Sequence, residues 1–188
     1  MLPRVTVSYA QSLDGRIATA SGDSRYISSP ATLRLAQRLR RDHEAILVGI
    51  GTVLRDDPEL SCRLRGCVSP LRVILDARLR LPLESTIVRT AGRLPTVVFC
   101  ALGEEAGLRE RRAALEQQGL RVLPVAQESP GRLAPREVLE GLVRQGLGSL
   151  FVEGGGQVIT SFLKAGLVQR LLVVVAPLLI GEGVSAVG

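Results

Sequence analysis

Residues 149–167 read SLFVEGGGQVITSFLKAGL. Ser149 to Glu153 forms a short, almost continuous apolar run, the pattern of a strand covered on both faces. Gly154, Gly155 and Gly156 follow, and after them Val158, Ile159, Phe162 and Leu163 recur at helical spacing over Gln157 to Ala165. A strand passing through glycines into an amphipathic helix is the building unit of an α/β domain. Three physical facts make this junction a candidate site. Glycines allow backbone N–H groups to approach a ligand closely. A helix N-terminus attracts anions through its unpaired N–H groups and macrodipole. Ligands in open α/β sheets bind beyond the carboxyl ends of the strands, where Glu153 could accept hydrogen bonds from a sugar or a base. The same residues are equally compatible with a tight turn that holds nothing, and the spacing is not the dinucleotide-binding G-x-G-x-x-G.

Outward from this junction the same alternation fills the chain. Strands are expected at Val5 to Ala10, Ala45 to Gly49, Arg72 to Asp76, Thr96 to Cys100, Arg121 to Val125 and Leu171 to Ala176. Helices are expected at Pro30 to Asp42, Glu104 to Gln118 and Pro135 to Gln145, with Glu128 to Pro135 as a loop. The pattern predicts one α/β domain over residues 1–188 with a mostly parallel central sheet. No repeat, long linker or low-complexity tract interrupts it.

A second junction, ILVGIGTVLRDDPEL at 46–60, passes from strand through Gly49 and Gly51 into one helical turn. Its Thr52 could offer a hydroxyl to a phosphate. Asp56 and Asp57 are adjacent, so they do not share a regular face, and they also read as a turn before Pro58. Asp14-Gly15 reads as a turn as well. The helix from Pro30 is capped by Ser29, with proline where a missing N–H costs nothing. On its wheel Leu33, Leu35, Ala36 and Leu39 share one face, and Arg34, Arg38 and Arg41 occupy the other. Arg40 falls between Leu33 and Ala36, on the packing side. A charge there needs an anionic partner or an opening to water. The wheel alone favours an internal carboxylate such as Asp76 over a ligand phosphate.

Composition excludes several classes. His43 is the only histidine, which rules out a His-based triad or a multi-histidine metal site. The cysteines Cys62, Cys67 and Cys100 are odd in number and unaccompanied by clustered ligands, so neither a disulfide framework nor a zinc site is expected, and no metal is implied. The net charge of +6 is carried almost wholly by scattered arginines, with Lys164 the only lysine and aromatics at 3%. This suits anionic small ligands better than nucleic acid, which would call for a basic block and stacking surfaces. No apolar run approaches the ~18 residues of a membrane span, and the start shows no signal-peptide pattern. A cytoplasmic protein without a nucleic-acid or membrane partner is the expectation.

Five segments, in this order, carry a resemblance over nearly the whole chain: SYAQSLDGRIATASGDSRYISSP, LRRDHEAILVGIGTVLRDDPELSCR, PLRVILDARLRLP, LFVEGGGQVITSFL and LVVVAPLLIGEG. Together they resemble the reductase domain of the riboflavin-biosynthesis pyrimidine deaminase/reductase proteins and their free-standing relatives. The resemblance implies a dihydrofolate-reductase-like three-layer α/β/α fold. It implies reduction of the ribosyl group of a ribosylaminopyrimidine 5′-phosphate to the ribityl chain, with NADPH as cofactor. NADPH contacts are implied at Ala10, Tyr26, Thr52 and Asp56, and along Gly155, Gly156, Gln157, Val158, Ile159, Thr160 and Ser161. Substrate contacts are implied at Ser24, Arg40, Leu60, Arg63 and Glu153, with Arg40 and Arg63 as a phosphate clamp, which reverses the wheel-based preference for Arg40. Asp56 and Glu153 are the candidate proton-handling carboxylates, Asp14 a weaker one. A homodimer is the family expectation. Two departures accompany the resemblance. The H-x-E and P-C-x-x-C of the paired zinc deaminase are absent, so no deaminase domain is expected here. The family's domain also continues past Gly188, so the last C-terminal strands are expected to be missing. The rival readings are dihydrofolate reductase proper, a non-catalytic nucleotide-binding domain and, from charge alone, a nucleic-acid binder.

Overall fold

The structure, a computed structural model, describes residues 1–24, 27–103 and 106–188. Its first half runs β1 (Arg4–Ser12), β2 (Arg16–Thr19), α1 (Pro30–Arg41), β3 (Ala45–Gly49), α2 (Ile50–Asp56), β4 (Leu71–Leu75), α3 (Thr86–Arg89) and β5 (Thr96–Ala101). The second half runs α4 (Ala106–Gln117), β6 (Arg121–Val125), β7 (Gln127–Ser129), β8 (Arg132–Leu133), α5 (Pro135–Arg144), β9 (Ser149–Gly154), α6 (Gly156–Lys164), β10 (Arg170–Ala176) and β11 (Gly183–Ser185). Seven strands form one sheet in the order β10-β1-β9-β3-β4-β5-β6, and every neighbouring pair is parallel.

Parallel pairing explains the continuous apolar runs, because each central strand must be covered on both faces. One face packs Val5, Val7, Leu47, Val73 and Phe99 against Leu139 and Leu142 of α5 and Ile159 and Phe162 of α6. The other packs Ile46, Val48, Ile74 and Phe151 against Leu39 of α1, Ile87 of α3 and Leu115 of α4. The result is the expected three-layer α/β/α arrangement. Ile46, Leu47 and Leu139 are fully buried, each stabilising the fold by roughly 1.5–3 kcal/mol. Among the described residues no helix is long and apolar enough to cross a membrane, and no cluster of acidic, His or Cys side chains could hold a metal ion.

Four expectations are corrected. Leu33 is 59% exposed rather than packed. The buried face of α1 centres on Leu39 and Leu35, so Leu33 and Arg40 sit at its rim. The loop expected over Glu128 to Pro135 contains part of a small β7–β8 hairpin, turned by Gly131 at φ +78°. Cys62 and Cys67 are joined in a disulfide with their Cα atoms 6.1 Å apart. The turn through Gly66, at φ +72°, folds the chain back between them, while Cys100 is a buried free thiol. Finally, the internal carboxylate that the wheel favours for Arg40 is present, but it is Glu153 rather than Asp76.

Two buried polar residues brace the frame. His43 bridges α1 and β1, its Nδ1 lying 2.7 Å from the Leu39 carbonyl and its Nε2 2.8 Å from Thr6 Oγ1. A carbonyl can only accept, so Nδ1 carries a proton and donates to it. Arg72, fully buried on β4, donates to Thr96 Oγ1, Thr90 Oγ1 and the carbonyls of Glu59, Ile87 and Leu94. Every N–H of its guanidinium thereby has an acceptor. Burial lowers its pKa to about 10, so it stays charged at neutral pH. It fastens the Glu59 backbone, just before Leu60 to Arg63, to the sheet.

Candidate functional site

The strands β3 and β9 are neighbours, with Val48 registered against Gly154, so their glycine junctions emerge side by side at the carboxyl end of the sheet. Gly155 caps α6 without any side-chain cap, leaving the first N–H groups of the helix free of a side-chain acceptor. Gly154 adopts φ +149°, a backbone that favours glycine. A Cβ on Gly155 would lie 3.3 Å from Thr52 Oγ1, and one on Gly49 would lie 2.8 Å from Val158 Cγ2. The glycines therefore keep open the space between the two junctions and let α6 approach β3.

That space is a groove of about 530 Å³. Gly49, Thr52, Gly155, Gly156, Gln157, Val158, Thr160 and Ser161 line it. So do Arg55, Arg80 and Arg132, which the sequence reading did not single out because scattered arginines carry no local signal. Ile159 points the other way, into the core at 1% exposure. Ala10 is half-buried on β1, Ser24 is exposed, and neither lines the groove, nor does Asp56. Tyr26 lies outside the described residues.

Of the substrate-side candidates, Arg40 and Glu153 meet directly. Arg40 Nε donates to Glu153 Oε2 at 2.9 Å and Nη2 to Oε1 at 2.6 Å, a two-pronged pair that planar guanidinium and carboxylate groups favour. Nη1 donates to the Ser61 carbonyl at 2.9 Å. Three of the five guanidinium N–H groups are so used, leaving one on each terminal nitrogen for another acceptor. Leu60 is buried in the core with φ +56°. Arg63 is anchored through its N–H to Gln37 Oε1, one helical turn before Arg40, while its side chain is 70% exposed. Ser61 and Gln37 were missed because their contacts join segments that only the fold brings together.

The acidic pair at the end of α2 divides in role. Asp57, at φ 38°, ends α2 and accepts from the Thr86 N–H and hydroxyl at 2.7 Å each. It thus serves the turn reading and starts α3. Asp56 makes no such contact, and partial desolvation raises its carboxyl pKa against the opposing charge of Arg55. Asp14 is engaged elsewhere, accepting from Ser12 Oγ and from the N–H groups of Ile180 and Gly181.

The family model described as the RibD C-terminal domain matches residues 3–188. The chain belongs to this family. A riboflavin biosynthesis protein RibD from Bacillus amyloliquefaciens is 44% identical over 96% of the chain and 47% of its own length. A 2,5-diamino-6-ribosylamino-4(3H)-pyrimidinone 5′-phosphate reductase from Archaeoglobus fulgidus is 37% identical over 96% of the chain and 83% of its own. Among solved structures, RibD from Acinetobacter baumannii superposes with a TM-score of 0.83 at 30% identity, covering all of this chain and 49% of that one. The chain thus spans about half the length of the RibD relatives it matches. In the RibD C-terminal domain family, then, the two clusters flank a single strand end: Glu153 faces the Arg40 side, and Gly155, two residues on, lines the groove.

Proposed function

We propose that this chain is an NADPH-dependent reductase acting on a ribosylaminopyrimidine 5′-phosphate, converting its ribosyl group to the ribityl chain in riboflavin biosynthesis. The observation that carries the reading is the placement of Glu153 and Gly155 at one strand end. It sets a groove fit for a dinucleotide beside an Arg–carboxylate cluster fit for a phosphorylated sugar. The groove fits the cofactor on its own terms: an uncapped helix start, a glycine whose Cβ would crowd Thr52, and three arginines along the wall. Those arginines support NADPH over its less charged analogue. Bound there, the reduced nicotinamide supplies the hydride.

The chain's own residues supply position and a proton. Thr52, Gly155, Gly156 and Ser161 hold the cofactor. Arg40 keeps two donors for the sugar's phosphate, and Arg63, on its exposed arm, closes over the same group. Glu153 has both oxygens engaged as acceptors by Arg40, which suits orientation rather than proton release. We assign the proton-handling role to Asp56, which follows the groove-lining Arg55 at the end of α2. A biosynthetic step on phosphorylated metabolites belongs in the cytoplasm. A homodimer is supported by the outer edge strand β10, which leaves Leu171, Val173 and Val175 exposed on one face.

The test is NADPH consumption with the deaminated and the diamino ribosylaminopyrimidine phosphates in parallel, with dihydrofolate as control. Turnover of one pyrimidine and none of dihydrofolate is expected. NADPH binding with no turnover of either pyrimidine would reduce the chain to a nucleotide-binding domain.

A further inference from the structure

The Cys62–Cys67 disulfide closes a short surface ring around Arg63, Leu64, Arg65 and Gly66. Both cysteines are half-buried, and Arg63, Arg65 and Gly66 are exposed, so thiols from solution can reach the bond. The ring is tied directly to the Arg40 cluster. Ser61, the residue before it, gives its carbonyl to Arg40 Nη1. Within the ring, the Arg63 N–H is held by Gln37 of α1 at 2.7 Å, and the Cys62 N–H by Ser69 Oγ at 3.0 Å. Gln37 and Arg40 are three residues apart and lie on neighbouring positions of one helix face. The cross-link therefore fixes the backbone that presents Arg63 and the carbonyl that steadies Arg40. None of its residues lines the cofactor groove. Disulfides in cytosolic proteins are more often redox-sensing than structural, and this one closes too small a ring to brace the core.

We propose that Cys62–Cys67 is a reversible thiol–disulfide modification site that sets affinity for the sugar-phosphate end of the substrate, the oxidised form binding more tightly. This rests on the sugar-phosphate reading above. Reduction proceeds by attack of a dithiol reductant's thiolate on one sulfur, breaking the S–S bond and forming a mixed disulfide. The reductant's second thiolate resolves it, leaving as a disulfide. Two electrons and two protons end on Cys62 and Cys67 as thiols. A disulfide oxidant such as oxidised glutathione runs the exchange backwards. Freed of the cross-link, the Arg63 segment must be ordered again each time the phosphate binds, a cost of about one long side chain and its loop.

The full chain is equilibrated with dithiothreitol or with oxidised glutathione, the thiol state is read by alkylation and mass, and ribose 5-phosphate and NADPH are titrated separately. Ribose 5-phosphate should bind roughly tenfold more weakly to the reduced form, with NADPH affinity unchanged. The double variant Cys62→Ser/Cys67→Ser should hold the reduced value under both conditions, and Cys100→Ala should follow the parent chain. Equal ribose 5-phosphate affinity in the two forms, or failure of the disulfide to form in oxidised glutathione, overturns the proposal. Binding of ribose 5-phosphate to neither form strikes instead at the sugar-phosphate reading, and the proposal falls with it.

Discussion

Arg40 shows how far one residue can be read before the fold is known. Its place on the packing side of a helix wheel demands an acceptor, and that much is legible locally. The acceptor is Glu153, 113 positions away, and only the crossover that sets α1 beside the end of β9 makes the pair. Arg40→Ala should raise KM for the phosphorylated substrate roughly 10- to 100-fold, the scale of one or two charge-assisted hydrogen bonds, and leave the NADPH dissociation constant within about twofold. Arg40→Lys should rescue little, because an ammonium cannot hold both carboxylate oxygens and the Ser61 carbonyl in one plane. Steady-state kinetics with separate cofactor titration decides it; an unchanged KM removes Arg40 from the site. Gly155 was legible from the triple-glycine junction, though its opposing atom was not. A valine there would begin 3.3 Å from Thr52 Oγ1 and narrow the groove. Gly155→Val should therefore weaken NADPH binding at least roughly tenfold while the circular dichroism spectrum keeps its parent form. Parent-like affinity in a folded variant would mean that the groove takes its ligand elsewhere.

Among the elements, those with a strong period were legible and those made by tertiary contact were not. The boundaries of β3 and β6 match those expected, and for β3 burial on both faces leaves a plain signature. The segment β2, the single turn α3 and the strand β11 were missed. Each is short, and β11 exists only because it pairs with β2 across the chain. Arg72 sits unannounced in a strand otherwise apolar, since nothing local reveals the carbonyls that receive it. Asp14 combines both cases. Its turn with Gly15, at φ +76°, was expected, but its hold on the Ile180–Gly181 backbone was not. Those hydrogen bonds, and the one from Ser12 first of all, lower its pKa from 3.8 to about 2. A carboxyl depressed in the folded state stabilises it above the unfolded pKa, and that stability is lost as pH falls through the folded value. Denaturant unfolding should thus show Asp14→Asn less stable than the parent near neutral pH, with the gap closing between about pH 4 and pH 2. A gap that persists unchanged to pH 2 would assign the effect to something other than this ionisation.

At the scale of the molecule, alternation of strand and helix announces a parallel α/β sheet, but strand order is set by which crossovers fit, and no residue carries it. The order leaves β10 at one edge. Leu171, Val173 and Val175, 45%, 39% and 50% exposed, share the face that Val7 and Tyr9 present on the neighbouring β1. In sequence they looked like core, since a run of Leu and Val cannot say which face is covered. An edge strand with an uncovered apolar face is a pairing hazard unless something occupies it. On the homodimer proposed above, a second copy of the chain would cover that face, a two-fold contact setting the same apolar row against itself. Sedimentation equilibrium should therefore give a dimer mass at micromolar concentration. Val173→Lys sets two ammonium groups near each other across such a contact, so that variant should sediment as a monomer with its unfolding midpoint in dilute solution little changed. A parent chain that remains monomeric to high concentration, or a variant that dimerises as well as the parent, would show that β10 is not where two copies meet.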